Sequence, residues 1–349
     1  LDRAQAVGMA GWMPLPMHQG VTDRLREQIA AVKDHPALAV WEGPDEVVWN
    51  FTAYSGLYRD MKVHDRPGAW WEQTPGAVAY AKKQAAEIIP NIRESVALIR
   101  ETDKRNLPIW FNEAHRSDAY YVREYLNGVD VTGCDLYPVN DSTREIAKIG
   151  DAVQRWNAVG RGIPVWMVLQ AFSWSELERP DPRGPAYPSF AESRFMAYET
   201  LVHGGEGILY WGSHYLTSDA MREAVYAVTS ELAALQPFLI AGEQEKAQAV
   251  LVEEPSIEPR RGVAKAVRRN GKDWLVVLVN DDEEAHMGVE VTGLGAADGT
   301  ELVLLYGDET VTISGGGFMT RLQPLEVKVF ATSKTFETQR LQGRDYAGE

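Results

Sequence analysis

Short apolar runs alternate with longer amphipathic stretches over the first part of the chain, up to about residue 235. Six of the runs show no polar alternation, which is typical of buried parallel strands. They cover residues 9–15, 37–42, 107–112, 129–137, 164–171 and 207–211. Helical patterns follow these runs, at residues 22–33, 76–102, 142–159, 190–202 and 220–235. Pro90 should introduce a kink into the longest of them. Repeated alternation of strand and helix predicts an α/β fold with a parallel sheet.

Polar and aromatic residues follow almost every predicted strand, in the segments EGPDE, NEAH, DLYP, QAFSW and WGSH. This distribution is typical of a (β/α)8 barrel, whose chemistry collects at the C-terminal ends of all its strands. A doubly wound sheet is the alternative, but such a sheet usually has a glycine-rich phosphate turn after its first strand, and the sequence contains none. The sequence therefore predicts a TIM-type barrel over residues 1–240. Six predicted strands imply that its first two strands are lacking in this chain.

The pattern changes after about residue 240, where short and often alternating strands are separated by turns. The Asn270-Gly271 turn between two of them is a strong hairpin signal. These features predict an antiparallel β-sandwich over residues 241–333, with Trp274 in its core, and a polar tail over residues 334–349. The predicted strands cover residues 247–253, 262–269, 272–280, 287–292, 301–306, 310–314, 317–322 and 325–331.

Composition narrows the possible functions. The net charge of −15 disfavours a nucleic-acid partner, and no apolar run is long enough to span a membrane. The single cysteine, Cys134, excludes an internal disulfide, and its apolar strand predicts a buried, inert thiol. Eleven Trp and fourteen Tyr provide aromatic faces that could stack on sugars, although most such rings pack in cores.

The segment Trp41-Glu42-Gly43-Pro44-Asp45-Glu46 is the sharpest candidate site, because a buried strand leads directly into two adjacent acids, with Trp49 just beyond. Burial at a strand end raises the pKa of a carboxyl group, which a general acid needs at neutral pH. An alternative is that these acids cap the next helix or pair with an arginine. Glu113 and His115 could bind a metal ion, but no further residue at metal-ligand spacing accompanies them, so the sequence indicates neither a metal nor a cofactor. The other candidates at strand ends are Asn112, Asp135, Tyr137, Gln170, Trp174, Glu176, Trp211 and His214.

The segment HPALAVWEGPDE resembles the fourth strand of clan A glycoside hydrolases, which ends in the acid/base glutamate. DLYPV, QAFSW, ESRFMAYETLVHGGEGILYWG and LQPLEVKVFA are similar to bacterial glycosidases in which a barrel is followed by a β-sandwich. The resemblance implies that Glu46 is the acid/base residue. Asp45 stands where the family has an asparagine that holds a sugar hydroxyl.

Gln170 is the larger departure from the family, because clan members carry the nucleophilic glutamate at the end of that strand. Three hypotheses follow, in this order. In the first, the Glu176 side chain extends back to the site and is the nucleophile. In the second, Glu113 or Asp135 is the second carboxylate, which could form an inverting arrangement. In the third, the protein binds sugar without cleaving it. Gln170 itself is expected to point into the barrel mouth and orient the substrate, or else to tie two strand ends together.

The resemblance thus implies a glycosidase acting on the O-glycosidic bonds of a poly- or oligosaccharide, with a carbohydrate as partner and no cofactor. The alternative is a non-catalytic, carbohydrate-binding barrel. It also implies a secreted or periplasmic protein. Trp41, Trp49, Tyr137, Trp174 and Trp211 are the candidate stacking walls; Asp45, Asn112, His115, Gln170 and His214 are the candidate polar contacts.

Overall fold

The computed structural model describes residues 1–177, 184–212, 214–244, 246–252, 257–339 and 341. The chain divides into two compact units, one made of Leu1–Leu136 and Ala152–Met167, the other of Tyr137–Asp151 and Val168–Glu349. Within the described residues, strands β1 to β6 form one six-stranded sheet in chain order. No described helix has the length and apolar character needed to cross a bilayer.

The first unit contains four complete strands of this sheet, and the pairs β1–β2, β2–β3 and β3–β4 are parallel. Its strands are β1 (Gly11–Pro14), β2 (Leu38–Glu42), β3 (Ile109–Ala114) and β4 (Val131–Asp135). Its helices are α1 (Asp2–Ala6), α2 (Asp23–Val32), α3 (Val47–Thr52), α4 (Gly56–Arg59), α5 (Pro75–Thr102) and α6 (Ala119–Tyr125). A short 3-10 turn covers Met17–Gln19.

Local sequence explains where the long helices begin. The Thr22 hydroxyl accepts a hydrogen bond of 3.2 Å from the Leu25 N–H and so caps α2. Helix α5 begins at Pro75, whose missing N–H costs nothing at that position. It continues through Pro90, where the sequence predicts a kink, and ends at Thr102.

Alternation along β3 positions the site of the first unit. All six residues of β3 are buried, and successive side chains point to opposite faces of a strand. Phe111 lies on the face that packs against α6, with its ring centroid 4.9 Å from that of Tyr125. Asn112 therefore points to the opposite face, and Glu113 returns to the α6 side.

Two elements are divided between the units: α7 (Lys148–Gly160) and β5 (Val165–Gln170). The second unit contains the first turn of α7 and the last three residues of β5. The other helices of this unit are α8 (Trp174–Leu177), α9 (Phe190–Val202), α10 (Asp219–Ala234) and α11 (Gln236–Leu239), and its parallel strand is β6 (Gly207–Trp211). A 3-10 turn covers Lys334–Phe336.

Eight antiparallel strands of the second unit form two sheets, in the orders β13-β10-β7 and β12-β11-β14-β9-β8 among the described residues. The Asn270-Gly271 hairpin joins β8 to β9, with Asn270 opposite Asp273. Trp274 is buried in the shared core beside Val276 and Phe330, as predicted. The strands are β7 (Gln248–Leu251), β8 (Val263–Asn270), β9 (Asp273–Asn280), β10 (Met287–Thr292), β11 (Glu301–Leu304), β12 (Thr310–Thr312), β13 (Phe318–Leu322) and β14 (Val327–Ala331).

A parallel sheet with its helices, followed by an antiparallel sandwich, is the architecture of a partial TIM barrel with a C-terminal β-sandwich, so the predicted fold class is confirmed. The limits at residues 240 and 333 stay predictions, and residues 340 and 342–349 of the predicted tail lie outside the described residues. Several element bounds differ from the sequence-based ones. β3 extends to Ala114 because its pairing with β4 continues to Ala114–Asp135, and β4 ends at Asp135, which leaves Tyr137 in the following loop. Helix α7 begins at Lys148 and not near residue 142.

Candidate active site

The loop after β2 carries Asp45 and Glu46 and is fixed by close packing. At Gly43 a Cβ atom would lie 2.3 Å from the Phe111 ring, so only glycine allows this approach. The Glu46 N–H donates to the Asn112 carbonyl (3.1 Å), and the Glu46 carbonyl accepts from the Asn50 N–H (2.8 Å). Glu46 has a left-handed backbone, with φ of 48°, and is the N-cap residue of α3, yet its side chain makes no capping hydrogen bond. The side chain is therefore available for other contacts.

The carboxyl group of Glu46 is hydrogen-bonded to that of Asp135, the last residue of β4. Burial, followed by the charges of Asp135, Asp45 and Glu113, raises the pKa of Glu46 to about 9. Two carboxyl groups in contact share a proton, because both cannot ionise at such a separation without a large cost. The raised pKa of Glu46 thus favours a state in which the pair holds one proton at neutral pH.

Asn112 on β3 lies between Asp45, in the loop after β2, and Asp135, the last residue of β4. Its Nδ2 donates to Asp45 Oδ1 (2.9 Å) and, at 3.4 Å, to Asp135 Oδ2. Its Oδ1 is buried and accepts no hydrogen bond from the described residues. Asp45 as a whole is exposed. Its carboxyl group is partly buried, and this burial raises its pKa, whereas the Asn112 hydrogen bond lowers it. A donor facing two acids and an unused acceptor make Asn112 suited to hold a hydroxyl-bearing ligand.

Glu113 differs from its neighbours because its carboxylate is enclosed and fully hydrogen-bonded. It accepts from the N–H groups of Val48 (2.9 Å) and Trp49 (3.3 Å), at the start of α3. It also accepts from the hydroxyls of Ser117 (2.7 Å) and Tyr125 (2.9 Å). Burial raises its pKa to about 7 in spite of these bonds. Glu113 thus caps α3 from another element, and no face of the carboxylate is left for a substrate or a metal ion.

The aromatic candidates of the first unit separate into a core residue and a surface pair. Trp41 is fully buried, and its indole N–H donates to Asp103 (2.9 Å), so it offers no face to a sugar. Trp49 is half-buried, and its ring centroid lies 6.2 Å from that of Trp71, which is 43% exposed. The Arg116 guanidinium lies over the Trp71 ring at 4.7 Å. Sequence reasoning missed Trp71 and Arg116, which follow no strand directly.

His115 is half-buried and follows β3. Its N–H donates to the Asp135 carbonyl (3.1 Å), and its own carbonyl accepts from Arg155 (2.8 Å). These backbone contacts fix the end of β3 next to the end of β4, which helps to hold Asp135 in place.

Glu42, the last residue of β2, is a titratable group that sequence reasoning did not select. Burial and the charge of Asp45 raise its pKa to about 7, while a hydrogen bond with Trp12 opposes the shift. Trp12 in turn lies 6.3 Å from Trp110, edge to face. The signal was present in the sequence, since Glu42 ends a buried strand three residues before Asp45.

Gln170 ends β5 in the second unit and is completely buried. Its amide nitrogen, Nε2, donates to the carbonyls of Val139 (2.8 Å) and Phe172 (3.0 Å). Its amide oxygen, Oε1, accepts from the Val139 N–H (3.0 Å). The second interpretation of the sequence was that the amide ties two strand ends together. The observed contacts instead tie the end of β5 to the loop after β4, which holds Val139.

Glu176 lies in α8, and both of its carboxylate oxygens already accept hydrogen bonds within the second unit. Tyr187 donates to Oε2, and Thr217 donates to Oε1 at 2.6 Å. The remaining candidates of this unit are Tyr137, Trp174, Trp211 and His214. Together with Phe172 they form one aromatic cluster, in which the ring centroids of contacting pairs are 4.9–6.1 Å apart. Tyr137, Trp174 and Trp211 are half-buried and His214 is exposed.

No known family model matches this chain, and no curated protein matches it. Among solved structures, an arabinofuranosidase is similar at 12% identity, with 95% of this chain and 77% of that chain covered and a TM-score of 0.51. The α-L-arabinofuranosidase of Thermotoga maritima, solved with arabinose, has 12% identity, the same coverage and a TM-score of 0.48. The α-amylase of Geobacillus thermoleovorans, complexed with acarbose, has 13% identity and a TM-score of 0.46, with 88% of this chain covered. This chain spans 63% of the length of that amylase.

These neighbours are glycoside hydrolases, and the likeness to the arabinofuranosidase shows the fold. The fold is thus one that a glycosidase also has, as the resemblance in the sequence implied.

Proposed function

We propose that this protein is a glycoside hydrolase that cleaves O-glycosidic bonds, with Glu46 as the general acid. The observation that carries the proposal is the hydrogen-bonded pair of Glu46 and Asp135, in which Glu46 has a pKa raised to about 9. A glycosidase needs one carboxyl group that is still protonated at neutral pH to protonate the leaving oxygen, and a second that is ionised. The first unit supplies both, from the loop after β2 and from the end of β4, the two strands that flank β3.

Asp135 is our candidate for the second carboxylate, ahead of Glu176 and Glu113. Glu113 has no free oxygen face, and both oxygens of Glu176 already accept hydrogen bonds. A substrate that enters between Glu46 and Asp135 replaces their mutual hydrogen bond with bonds to the sugar. The separation then reached decides the stereochemistry: about 5–5.5 Å for retention and about 6.5–9.5 Å for inversion.

The remaining groups of the site have binding roles in this proposal. The unused Oδ1 of Asn112 accepts a bond from a sugar hydroxyl, and Asp45 accepts another. Trp49 and Trp71 provide a surface on which a sugar ring can stack. The substrate is a poly- or oligosaccharide.

Hydrolysis of a panel of aryl glycosides by the wild type, Glu46→Gln and Asp135→Asn tests these roles. Glu46→Gln should lose about 10²–10⁴-fold in kcat/KM on poor leaving groups and much less on activated ones, which need little protonation. Asp135→Asn should lose activity on both kinds. Glu27→Gln, which changes an exposed acid of α2, is the control and should keep full activity. Equal losses of Glu46→Gln on both kinds of substrate would exclude its acid role.

A non-catalytic, sugar-binding protein is the second candidate, and Gln170 favours it. The family has a nucleophilic glutamate at this strand end, whereas here a buried amide bonds only to backbone groups in the contacts described above. Isothermal titration with oligosaccharides separates the two functions. Binding without turnover of any glycoside by the wild type would support this second candidate and contradict the hydrolase.

A further inference from the structure

The second unit encloses a cluster of three titratable side chains that the proposed function does not use. Glu199 lies in α9, His203 follows one helical turn later at its end, and Asp281 comes directly after β9. One possible ligand atom from each of the three lies within 4.8 Å of the other two. His203 Nε2 is 3.1 Å from Asp281 Oδ2 and 3.4 Å from Glu199 Oε1. We refer to these three residues as the α9–β9 cluster.

The hydrogen-bonding capacity of this cluster is not satisfied by the described protein groups. Glu199 is completely buried, and neither of its oxygens has a partner in hydrogen-bond geometry. Asp281 Oδ1 is also buried without such a partner. The contact of His203 with both acids goes through the same nitrogen, Nε2, which can carry only one hydrogen. Buried carboxylate oxygens without donors are rare, because they lose their hydration and gain nothing in return.

Gly150 allows the ligand atoms to approach the backbone of α7 closely. A Cβ atom at this position would lie 2.3 Å from Glu199 Oε1 and 2.6 Å from His203 Nε2. Any residue other than glycine would therefore displace these side chains. The glycine thus lets the carboxylate and the imidazole converge against this helix.

We propose that the α9–β9 cluster is a Zn²⁺ site. One imidazole and two carboxylates form a donor set typical of zinc, whereas calcium and magnesium prefer oxygen ligands alone. Ligand atoms that lie about 2.0–2.1 Å from a tetrahedral Zn²⁺ are about 3.3 Å from one another, close to the two contacts of His203. The two carboxylates balance the charge of the ion, and the ion supplies a ligand contact to Glu199, whose oxygens have no partner in hydrogen-bond geometry among the described residues. A water molecule would complete the coordination.

The neighbouring charges are compatible with a cation. Arg261 interacts electrostatically with Glu199 and Asp281. It is also paired with Asp151 through two hydrogen bonds of 2.9 and 2.6 Å, so these two charges offset each other. The ion would link the C-terminal end of α9 to the end of β9. It would thus connect a helix of the barrel pattern to the sandwich strands within the second unit. This role is structural and does not depend on the glycosidase proposal.

Metal content and thermal unfolding of the full chain test the site. The protein is stripped with EDTA and then titrated with ZnCl2, and metal is counted by mass spectrometry after desalting. The wild type should retain one Zn²⁺ per chain and show a Tm that rises with zinc concentration. Glu199→Gln and Asp281→Asn should lose both effects. The control is His35→Gln, which removes an exposed histidine–aspartate pair (His35 with Asp2, 2.9 Å) and should bind zinc like the wild type.

Two outcomes would overturn the proposal: retention of fewer than about one ion per ten wild-type chains, or unchanged zinc affinity in both cluster variants. If the variants fail to fold, the wild type alone decides. Zinc must shift the ¹⁵N resonance of His203 Nε2, and Co²⁺ must give the intense visible bands of a tetrahedral site; the absence of either contradicts it.

Discussion

Two glutamates of the first unit, Glu46 in the loop after β2 and Glu113 on β3, lie in opposite environments. Glu113 accepts four hydrogen bonds, two of them from the start of α3. Glu46 is hydrogen-bonded to another acid and has two further acids near it. Burial raises the pKa of both, but to about 7 for Glu113 and to about 9 for Glu46. The difference reflects donors that stabilise one charge and acids that destabilise the other.

The two roles depend on each other. An N-cap residue normally accepts hydrogen bonds from the first N–H groups of its helix. In α3 that function is performed by Glu113, which reaches the helix from β3, and Glu46 makes no capping bond. The carboxyl group of Glu46 can therefore face Asp135. The capping bonds of Glu113 thus leave Glu46 able to contact another acid.

The largest effect expected on stability is that of Glu113→Ala. Because the change leaves the N–H groups of Val48 and Trp49 and the hydroxyl of Tyr125 without their acceptor, it should lower the free energy of unfolding by about 2–4 kcal/mol. Glu46→Ala removes a carboxyl group surrounded by acids and should cost far less. Urea unfolding at pH 7 measures both. Equal losses in the two variants would mean that the two environments do not differ as described.

An intermediate effect is expected in the pH dependence of stability. The pKa of Glu46 rises from its ordinary value of 4.5 to about 9 in the folded protein, so the folded state binds the proton more tightly. Its contribution to stability is complete below about pH 4.5 and is lost as the pH rises through about 9. Glu46→Gln does not titrate, so its stability relative to the wild type should rise steadily across this window. Parallel stability curves from pH 5 to 9 would contradict the raised pKa; Glu27→Gln should give such parallel curves.

The smallest effect concerns Asn112→Ala. The Nδ2 group of Asn112 donates to Asp45 and lowers the pKa of that carboxyl group. Without this bond the pKa of Asp45 should rise further. The carboxyl ¹³C resonance of Asp45, followed by NMR through a pH titration, measures the change. A fall in that pKa would show that the amide does not stabilise the ionised form.

The parallel strands, the long helices and the sandwich could be predicted from the sequence, because each follows from a regular pattern of apolar residues. The short helices α3, α4, α6, α8 and α11 could not, since four to seven residues show too little periodicity. Asn112 and Glu113 illustrate the limit for the site. They are adjacent in sequence, and only their positions on opposite faces of β3 separate a group that faces the acids from one that supports a helix.

The partner of Glu46 was equally hidden in the sequence. Asp135 was one of several acids at strand ends, and its contact with Glu46 depends on the order β2-β3-β4 in the sheet. Gln170 had two interpretations that only its hydrogen-bond partners could distinguish. The α9–β9 cluster joins residues from distant parts of the chain, for which no spacing rule exists.

The backbone of Glu46 adds a consequence for how this loop can change. A residue with a side chain costs about 1 kcal/mol or more in the left-handed region, whereas glycine adopts it freely. Replacing Glu46 by glycine is thus a change that relieves strain and removes a buried acid at once. Selection for stability alone would favour that replacement. A library of this protein selected only for heat resistance should therefore accumulate glycine at position 46, and selection for turnover should keep the glutamate.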